Sequence, residues 1–354
     1  MSMRESLIQL AFEFRETRLW EVLADNDIFA VLLRSGETAY CSVMGQAGEH
    51  HGLGLYVGAG WNSYLNFARL AGCTRRVEMG QIIAQIDCFN CDFSPAGLIQ
   101  PSEQKDEIKA YAKAHGLKST RGVGLPDFVR YSPNMVPGPY ASESDMDAME
   151  EALSAAIFVA KHLAKLKAFP AMGFTMEGIH PSDSPGQKIP LLSPLGKGSF
   201  ELSTTVLPGR TPDTASAVTF DRPELTMQIS MLPVRSNLEC RFITVDVAPI
   251  AEPDRRPYFP TLLLIVDGNT GFVTMPKIGG AYDETTPAQS VEDLALRIIG
   301  NGTRPGTIFV EDDTTHAMLQ DFCTRTGIKL RRVSRLKHLE EAWVSMTDAL
   351  GHRR

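Results

Sequence analysis

The sequence contains no apolar run long enough to cross a membrane. Its longest runs, Ile28–Leu33 and Ala155–Ala160, fall far short of the roughly 20 residues that a spanning helix needs. The first residues, MSMRESLIQLAFEFRE, also lack the uninterrupted apolar segment of a secretory signal. Cysteine is scarce, with six in 354 residues, so a disulfide framework is not the basis of the fold. We therefore expect a cytoplasmic protein with reduced thiols and no membrane partner.

Several catalytic and cofactor motifs are absent as well. The sequence has no G-x-S-x-G, H-E-x-x-H or P-loop motif, which removes the best-known hydrolase and nucleotide triphosphatase signatures. Its one C-x-x-C, Cys88 to Cys91, has no second pair at zinc-finger spacing and no helix start beside it. An unligated pair of thiols is the favoured interpretation.

Composition indicates an ordinary globular protein with two domains. The apolar fraction is 43% and the charged fraction 22%, and the length exceeds what one hydrophobic core usually supports. A net charge of −7 makes nucleic acid an improbable partner, although a local basic patch is compatible with it.

The first part of the chain predicts an α+β domain over residues 1–167, with a mixed or antiparallel sheet. Short apolar strands alternate there with amphipathic helices. The longest helix begins near Ser142 or Ser144, continues to about Leu166 and has one wide apolar face.

The second half predicts a Pro/Gly/Ser-rich irregular connection over 168–224 and an α/β domain over 225–354. A leading hairpin is expected between 225–231 and 238–248. A second hairpin, 262–266 with 272–275, then precedes alternating helices and strands that predict a layer of parallel strands.

Carboxylates end two of these strands and are the first candidate site. Asp267 follows TLLLIV, and Glu311, Asp312 and Asp313 follow GTIFV. If the two strands are neighbours, the acids converge and offer the oxygen ligands that Mg²⁺ or Mn²⁺ prefers. The alternative is structural, because Asp267-Gly268-Asn269 is good turn chemistry and Asp312 or Asp313 is a natural N-cap.

The order of elements around these acids loosely resembles the ribonuclease H-like nucleases. That fold calls for a third strand, and the sequence does not show one between the hairpin and the helix. Arg331, Arg332 and Arg335 follow in a basic run that could steer a phosphate substrate, or could protect an exposed sheet edge from aggregation.

The loop over 122–140 is the second candidate site. Four prolines are interleaved with aromatic residues there, so neither a regular helix nor a central strand is expected. Its long, rigid character favours a binding role. The candidate binding residues are Phe128, Arg130, Tyr131 and Tyr140.

Two parts of the chain resemble a family of uncharacterised bacterial two-domain proteins that pair domains of unknown function. The resembling stretches are Leu19-Trp20, Asp27–Ala30, Tyr40–Met44, Gly48–His50, Arg121-Gly122, Pro126–Tyr131, Pro137–Tyr140, Pro260–Gly271, Arg304–Val310 and Gly327–Leu330. The resemblance implies a paired-domain architecture and assigns no catalytic residue.

Two functional hypotheses follow. The first is a cytoplasmic, non-enzymatic binding protein without a cofactor, whose expected partner is another protein. The alternative is a divalent-metal phosphodiesterase or nuclease that uses the strand-end acids. Only this alternative requires a metal.

Overall fold

The computed structural model describes residues 2–48, 50–70, 73–93, 102–118, 122–140, 142–167, 186–196, 198–210, 217–274, 282–283 and 285–351. Its helices are α1 (Glu5–Thr17), α2 (Trp61–Leu70), α3 (Arg76–Ala84), α4 (Ser102–Ala114), α5 (Glu143–Lys167), α6 (Pro223–Met231), α7 (Thr286–Gly300), α8 (Asp313–Thr326) and α9 (Lys337–Gly351). Its strands are β1 (Phe29–Leu32), β2 (Thr38–Met44), β3 (Gly52–Val57), β4 (Cys88–Asp92), β5 (Asp127–Tyr131), β6 (Lys188–Gly196), β7 (Ser199–Val206), β8 (Val234–Thr244), β9 (Thr261–Asp267), β10 (Val273–Thr274), β11 (Arg304–Val310) and β12 (Lys329–Arg332).

These elements form two compact units that are not continuous along the chain. The first contains Met1–Ala71, Ile86–Pro133 and Pro137–Thr211. The second contains Gly72–Gln85, Asn134–Val136 and Pro212–Arg354. Two segments from the first half of the chain, 72–85 with α3 and 134–136, therefore belong to the second unit.

The first unit is an α+β structure built on a seven-stranded sheet in the order β5-β4-β3-β2-β1-β6-β7. Every neighbouring pair is antiparallel except β1 and β6, which are parallel. The sheet is thus mixed, and the predicted fold class of this part is confirmed. Helices α1 and α5 contribute to the core on one face, and α2 contributes to the core on the other.

The start of α5 follows directly from its sequence. The Ser142 hydroxyl accepts the Asp145 amide at 3.1 Å, and the Asp145 carboxylate accepts the Ser142 amide at 3.2 Å. This reciprocal capping satisfies two backbone donors that the helix itself leaves without partners.

Strands β6 and β7 lie inside the range that the sequence predicts as an irregular connection, 168–224. They form an antiparallel pair at one end of the sheet, so this part of the range is regular structure. Residues 168–185 and 211–216 of the same range lie outside the described residues.

Strand β4 explains the C-x-x-C pair. Successive residues of a strand point to opposite faces, so Cys88 packs in one core of the first unit and Cys91 in the other. Burial raises the pKa of both thiols far above the usual range. Two inert thiols on opposite faces cannot share a ligand.

The second unit is an α/β structure with a five-stranded sheet in the order β10-β9-β8-β11-β12. Strands β8, β11 and β12 are parallel, and β9 is antiparallel to both β8 and β10. One face is covered by α6, α7 and α8, and the other by α3 and α9. The predicted α/β class and the β9–β10 hairpin are confirmed.

Strand β9 shows why the run TLLLIV is apolar without alternation. Leu263 and Ile265 pack in the core beneath α7, whereas Leu262, Leu264 and Val266 pack in the core beneath α9. A strand covered on both faces needs apolar residues at every position.

The leading hairpin predicted between 225–231 and 238–248 is wrong, because residues 223–231 form α6. Pro223 lies in the first turn, where a backbone N–H would have no partner within the helix. Leu225 and the buried Ile229 are one helical turn apart, so they lie on the same side of the helix. A short apolar run fits a strand and a helix equally well, and here tertiary packing selects the helix. Among the described residues no further strand lies between β10 and α7, but β8 precedes β9, so three strands come before α7 along the chain.

The first unit also buries a carboxyl group, that of Asp92 on β4. Asp92 is opposite Asp127 of β5, and both residues are largely buried. Burial and the neighbouring Asp127 carboxylate raise the pKa of Asp92 to about 7. A Cβ atom at Gly52 would lie 2.8 Å from the Asp92 Oδ1 atom, so only glycine fits beside it.

We expect Asp92→Asn to stabilise the first unit more at pH 8 than at pH 5. Between about pH 4 and 7 the folded chain keeps a proton at Asp92 that the unfolded chain has released. Wild-type stability therefore falls as pH rises through this window, by on the order of 3 kcal/mol, and the amide variant lacks this loss.

Fluorine NMR of fluorotryptophan-labelled protein during urea unfolding measures this difference, because Trp20 and Trp61 report on the first unit. Asp106→Asn removes the same charge from an exposed helix position of that unit and serves as the control. A stability gain for Asp92→Asn that is equal at both pH values would contradict the prediction.

Candidate functional site

A groove of about 480 Å³ lies in the second unit between the β9–β10 hairpin and α9. Its lining combines apolar side chains with one imidazole, one carboxylate and one hydroxyl. The lining residues are Leu264, Gly271, Val273, His338, Glu341, Ala342, Ser345 and Met346. A groove of this size with a few polar groups is the usual form of a ligand site.

The sequence of α9 presents these residues along one side of the helix. His338, Ala342 and Ser345 are spaced by four and three residues, so they lie on one stripe, and Met346 borders it. Leu339 and Trp343 are each only 1% exposed, because they point into the core beneath the sheet. One helix thus anchors the core and lines the groove.

Glu239 of β8 fixes the orientation of His338. Its Oε1 atom lies 3.1 Å from His338 Nδ1, and its Oε2 atom accepts the Leu339 amide at 2.8 Å. The same carboxylate therefore satisfies a free amide at the start of α9 and holds the imidazole. With Nδ1 engaged, Nε2 is the nitrogen that can meet a ligand.

Asp267 closes the hairpin turn beside the groove. Its Oδ1 atom accepts the amides of Asn269 at 3.0 Å and Thr270 at 2.8 Å. Burial opposes ionisation, but these hydrogen bonds and the nearby His338 outweigh it and lower the pKa of Asp267. Gly271 has a φ of 70° and donates its amide to the Asp267 carbonyl, as the tight turn requires. Asp267 therefore makes the turn hydrogen bonds that its structural interpretation calls for.

Glu311 is held between two guanidinium groups. Its Oε1 atom lies 2.7 Å from Arg75 and 2.8 Å from Arg241, and its Oε2 atom accepts the Leu336 amide. The Arg241 and Glu311 side chains are only 9% and 10% exposed. Arg75 also pairs with Glu340. The Glu311 carboxylate is therefore already neutralised by the protein.

The other two acids of the group have structural partners. Asp312 is the N-cap of α8 and accepts the Thr315 amide at 2.7 Å and its hydroxyl at 2.8 Å. Asp313 forms an exposed ion pair with Arg332.

The sheet order keeps Asp267 away from the three acids. The acids were expected to converge only if β9 and β11 were neighbouring strands, but β8 lies between them. The two strands are therefore separated by roughly 10 Å, twice the usual strand spacing. Within the described ranges, no three His, Cys, Asp or Glu side chains are placed to hold one metal ion. The predicted convergence is wrong, because the longer β8 occupies the position between the strands.

Two family models match the chain. Residues 5–175 match a domain of unknown function, DUF7309, and residues 227–347 match another, DUF6930. Together the two matches fit a two-domain protein that pairs domains of unknown function. No curated protein and no solved structure matches it. The resemblance to proteins with paired domains of unknown function is thereby confirmed.

The whole groove lies within the DUF6930 match, as does Glu239. Arg75, by contrast, lies in the sequence range of the DUF7309 match, although it packs in the second unit. None of the helices in the described ranges combines the length and apolarity of a membrane span.

The candidate loop residues of the DUF7309 domain are mostly structural. Phe128 and Tyr140 are 0% and 1% exposed, and the Tyr140 hydroxyl donates to the Asn90 carbonyl. Arg130 stacks on the Phe89 ring and pairs with Asp87. These three side chains do not form an exposed binding surface, because Phe128 and Tyr140 are buried in the core and Arg130 already contacts Phe89 and Asp87.

Tyr131 is half-buried and packs against the core beside α2. It ends β5, which lies at one end of the seven-stranded sheet. The predicted rigidity of the loop is explained by this packing.

The basic run of the DUF6930 domain is exposed, as both of its interpretations require. Arg331 and Arg332 lie on β12, at the end of the five-stranded sheet, and Arg335 follows. Arg332 pairs with Asp313, and Arg335 pairs with Glu340 at 2.6 Å. An edge strand that carries charge resists pairing with another sheet.

The groove residues were missed by sequence reasoning. The alternating helices and strands of 225–354 are predicted, and the periodicity of the last helix places His338, Ala342 and Ser345 on one stripe. A second signal is Glu239, an acid in the middle of β8 between Leu238 and Cys240. Nothing local shows that Glu239 meets a residue 99 positions later.

We expect Glu311→Gln to destabilise the second unit by about 3 kcal/mol, because the Arg241 guanidinium would stay buried and lose its nearest counterion, whereas Arg75 would keep Glu340. Asp313→Asn is the matched control. Its pair with Arg332 is exposed, so its loss should cost about 1 kcal/mol or less.

The fluorine signal of Trp343 reports on the second unit during urea unfolding. Equal unfolding midpoints for the two variants would show that the buried ion pairs do not stabilise this unit.

Proposed function

We propose that the chain is a binding protein whose ligand site is the groove between the β9–β10 hairpin and α9. The observation that supports this is the combination of an apolar floor with one oriented imidazole. Leu264 and Val273 supply the floor from the sheet, and Met346 supplies it from the helix. Apolar surface provides affinity, and a fixed polar group selects the pose of the ligand.

The polar groups of the groove favour binding over catalysis. The hydroxyl of Ser345 donates to the Glu341 carbonyl at 2.9 Å, as exposed helix serines commonly do. Ser345 follows His338 by seven residues, about 10 Å along the helix axis. A nucleophile and its base need hydrogen-bond contact, which these two side chains do not make.

A divalent-metal nuclease is the second candidate, and the strand order favours it. Three strands precede α7, as the ribonuclease H-like resemblance calls for. The partners of the acids oppose it, since a metal at Glu311 would compete with Arg75 and Arg241. A metal-dependent rise in melting temperature that Glu311→Gln or Asp312→Asn abolishes would favour the nuclease over the binding protein.

A cytoplasmic location remains the prediction of the sequence, and a bacterial origin remains what the family resemblance implies. The six free thiols support the cytoplasmic location, since none forms a disulfide.

A fragment screen by NMR with methyl-labelled methionine tests the binding proposal. We expect apolar fragments to shift the Met346 methyl signal, assigned with Met346→Leu, and to leave that of Met231 unchanged. Met346 lines the groove, whereas Met231 is 78% exposed on α6. Fragments that shift Met231 but never Met346 would contradict the proposal.

Ala342→Trp should abolish these shifts, because the indole would fill the groove at its centre. Ala349→Trp is the matched control, with the same substitution at an exposed position of the same helix. Fragment binding that survives Ala342→Trp would place the site elsewhere.

A further inference from the structure

The rim of the groove is acidic, although its floor is apolar. Glu341 lines it and is exposed, and its carboxylate makes no ion pair or hydrogen bond within the described ranges. The turn hydrogen bonds and the nearby His338 keep Asp267 ionised. Glu239 lies behind His338 and pairs with it. These acidic groups therefore favour a ligand that carries a positive charge.

The apolar surface beside this rim extends outside the groove. Phe272, between the groove residues Gly271 and Val273, is 72% exposed at the tip of the hairpin. An exposed aromatic ring beside an apolar groove is typical of a contact surface for a flexible partner. The ring also offers a face to a cationic side chain.

The groove is long enough for a short extended peptide. Its lining runs along α9 from His338 to Met346, eight residues and thus about 12 Å. An extended peptide rises about 3.3 Å per residue, so roughly four residues span this distance.

We propose that the groove binds an extended peptide segment in which lysine or arginine alternates with aliphatic residues. The cationic side chain lies between Asp267 and Glu341, and the aliphatic side chains lie on Val273 and Met346. This inference rests on the proposed binding function and adds the chemical class of the ligand.

Fluorescence polarisation with a labelled octapeptide of alternating leucine and lysine tests the inference. We expect the peptide to bind, and versions with glutamine or glutamate in place of lysine to bind at least ten-fold more weakly. Raising the salt concentration should weaken binding, because exposed charges attract the peptide. Equal affinity for the three peptides would overturn the inference.

Glu341→Gln and Asp267→Asn should each weaken binding by about two- to five-fold, as expected for exposed charge pairs. Asparagine at 267 can still accept the turn amides, so the hairpin is preserved. Glu224→Gln, which removes an equal charge from exposed α6, is the matched control and should have no effect. An equal loss in all three variants would indicate attraction to the net charge only and would overturn the inference.

Two further measurements separate the inference from the binding proposal. If apolar fragments shift Met346 but no lysine peptide binds, the groove is a site and its ligand class is wrong. If hexylamine binds as tightly as the peptide, the site recognises a free amine and the peptide assignment fails. Peptide binding that persists in Ala342→Trp would overturn both proposals.

Discussion

The Glu311 carboxylate links three parts of the chain at the end of the five-stranded sheet, through two ion pairs and one hydrogen bond. It pairs with Arg241 of the neighbouring strand β8 and with Arg75, and it accepts the Leu336 amide just before α9. The direction in which α9 leaves the sheet is set by this contact and by Glu239, one strand away. Since α9 forms one wall of the groove, the candidate site depends on a buried charge that does not itself line it.

The same contact decides what chemistry this end of the sheet offers. Acids at the ends of parallel strands commonly hold metal ions, but only when their lone pairs are available. Here the arginines neutralise Glu311, and the first turn of α8 occupies Asp312. Burying charges costs solvation energy, and this arrangement offsets it with paired guanidinium groups and a backbone amide. The ends of the parallel strands in the second unit therefore carry an ion-pair cluster.

The second unit also depends on residues far outside the DUF6930 match. Asn134 is buried with a φ of 60°, and its Oδ1 atom accepts the Gln85 amide at 2.8 Å and the Thr244 hydroxyl at 2.6 Å. The Asn134 carbonyl accepts the Phe259 amide. Segments 72–85 and 134–136 thus complete hydrogen bonds at the carboxyl end of β8, so the boundaries of the sequence families and of the packed units differ.

Local features of this protein were determined by the sequence itself. The turn at Asp267, the capping of α5 and the fully buried strand β9 could be predicted, because each depends on residues within one turn or one strand. The tertiary structure alone decided that β8 separates β9 from β11, that 223–231 is a helix, and that Glu311 meets Arg75 across 236 residues. Hydrophobic periodicity specifies which side of an element is buried, but not which distant element covers it. For that reason the acids could be located from the sequence, whereas their partners and the groove could not.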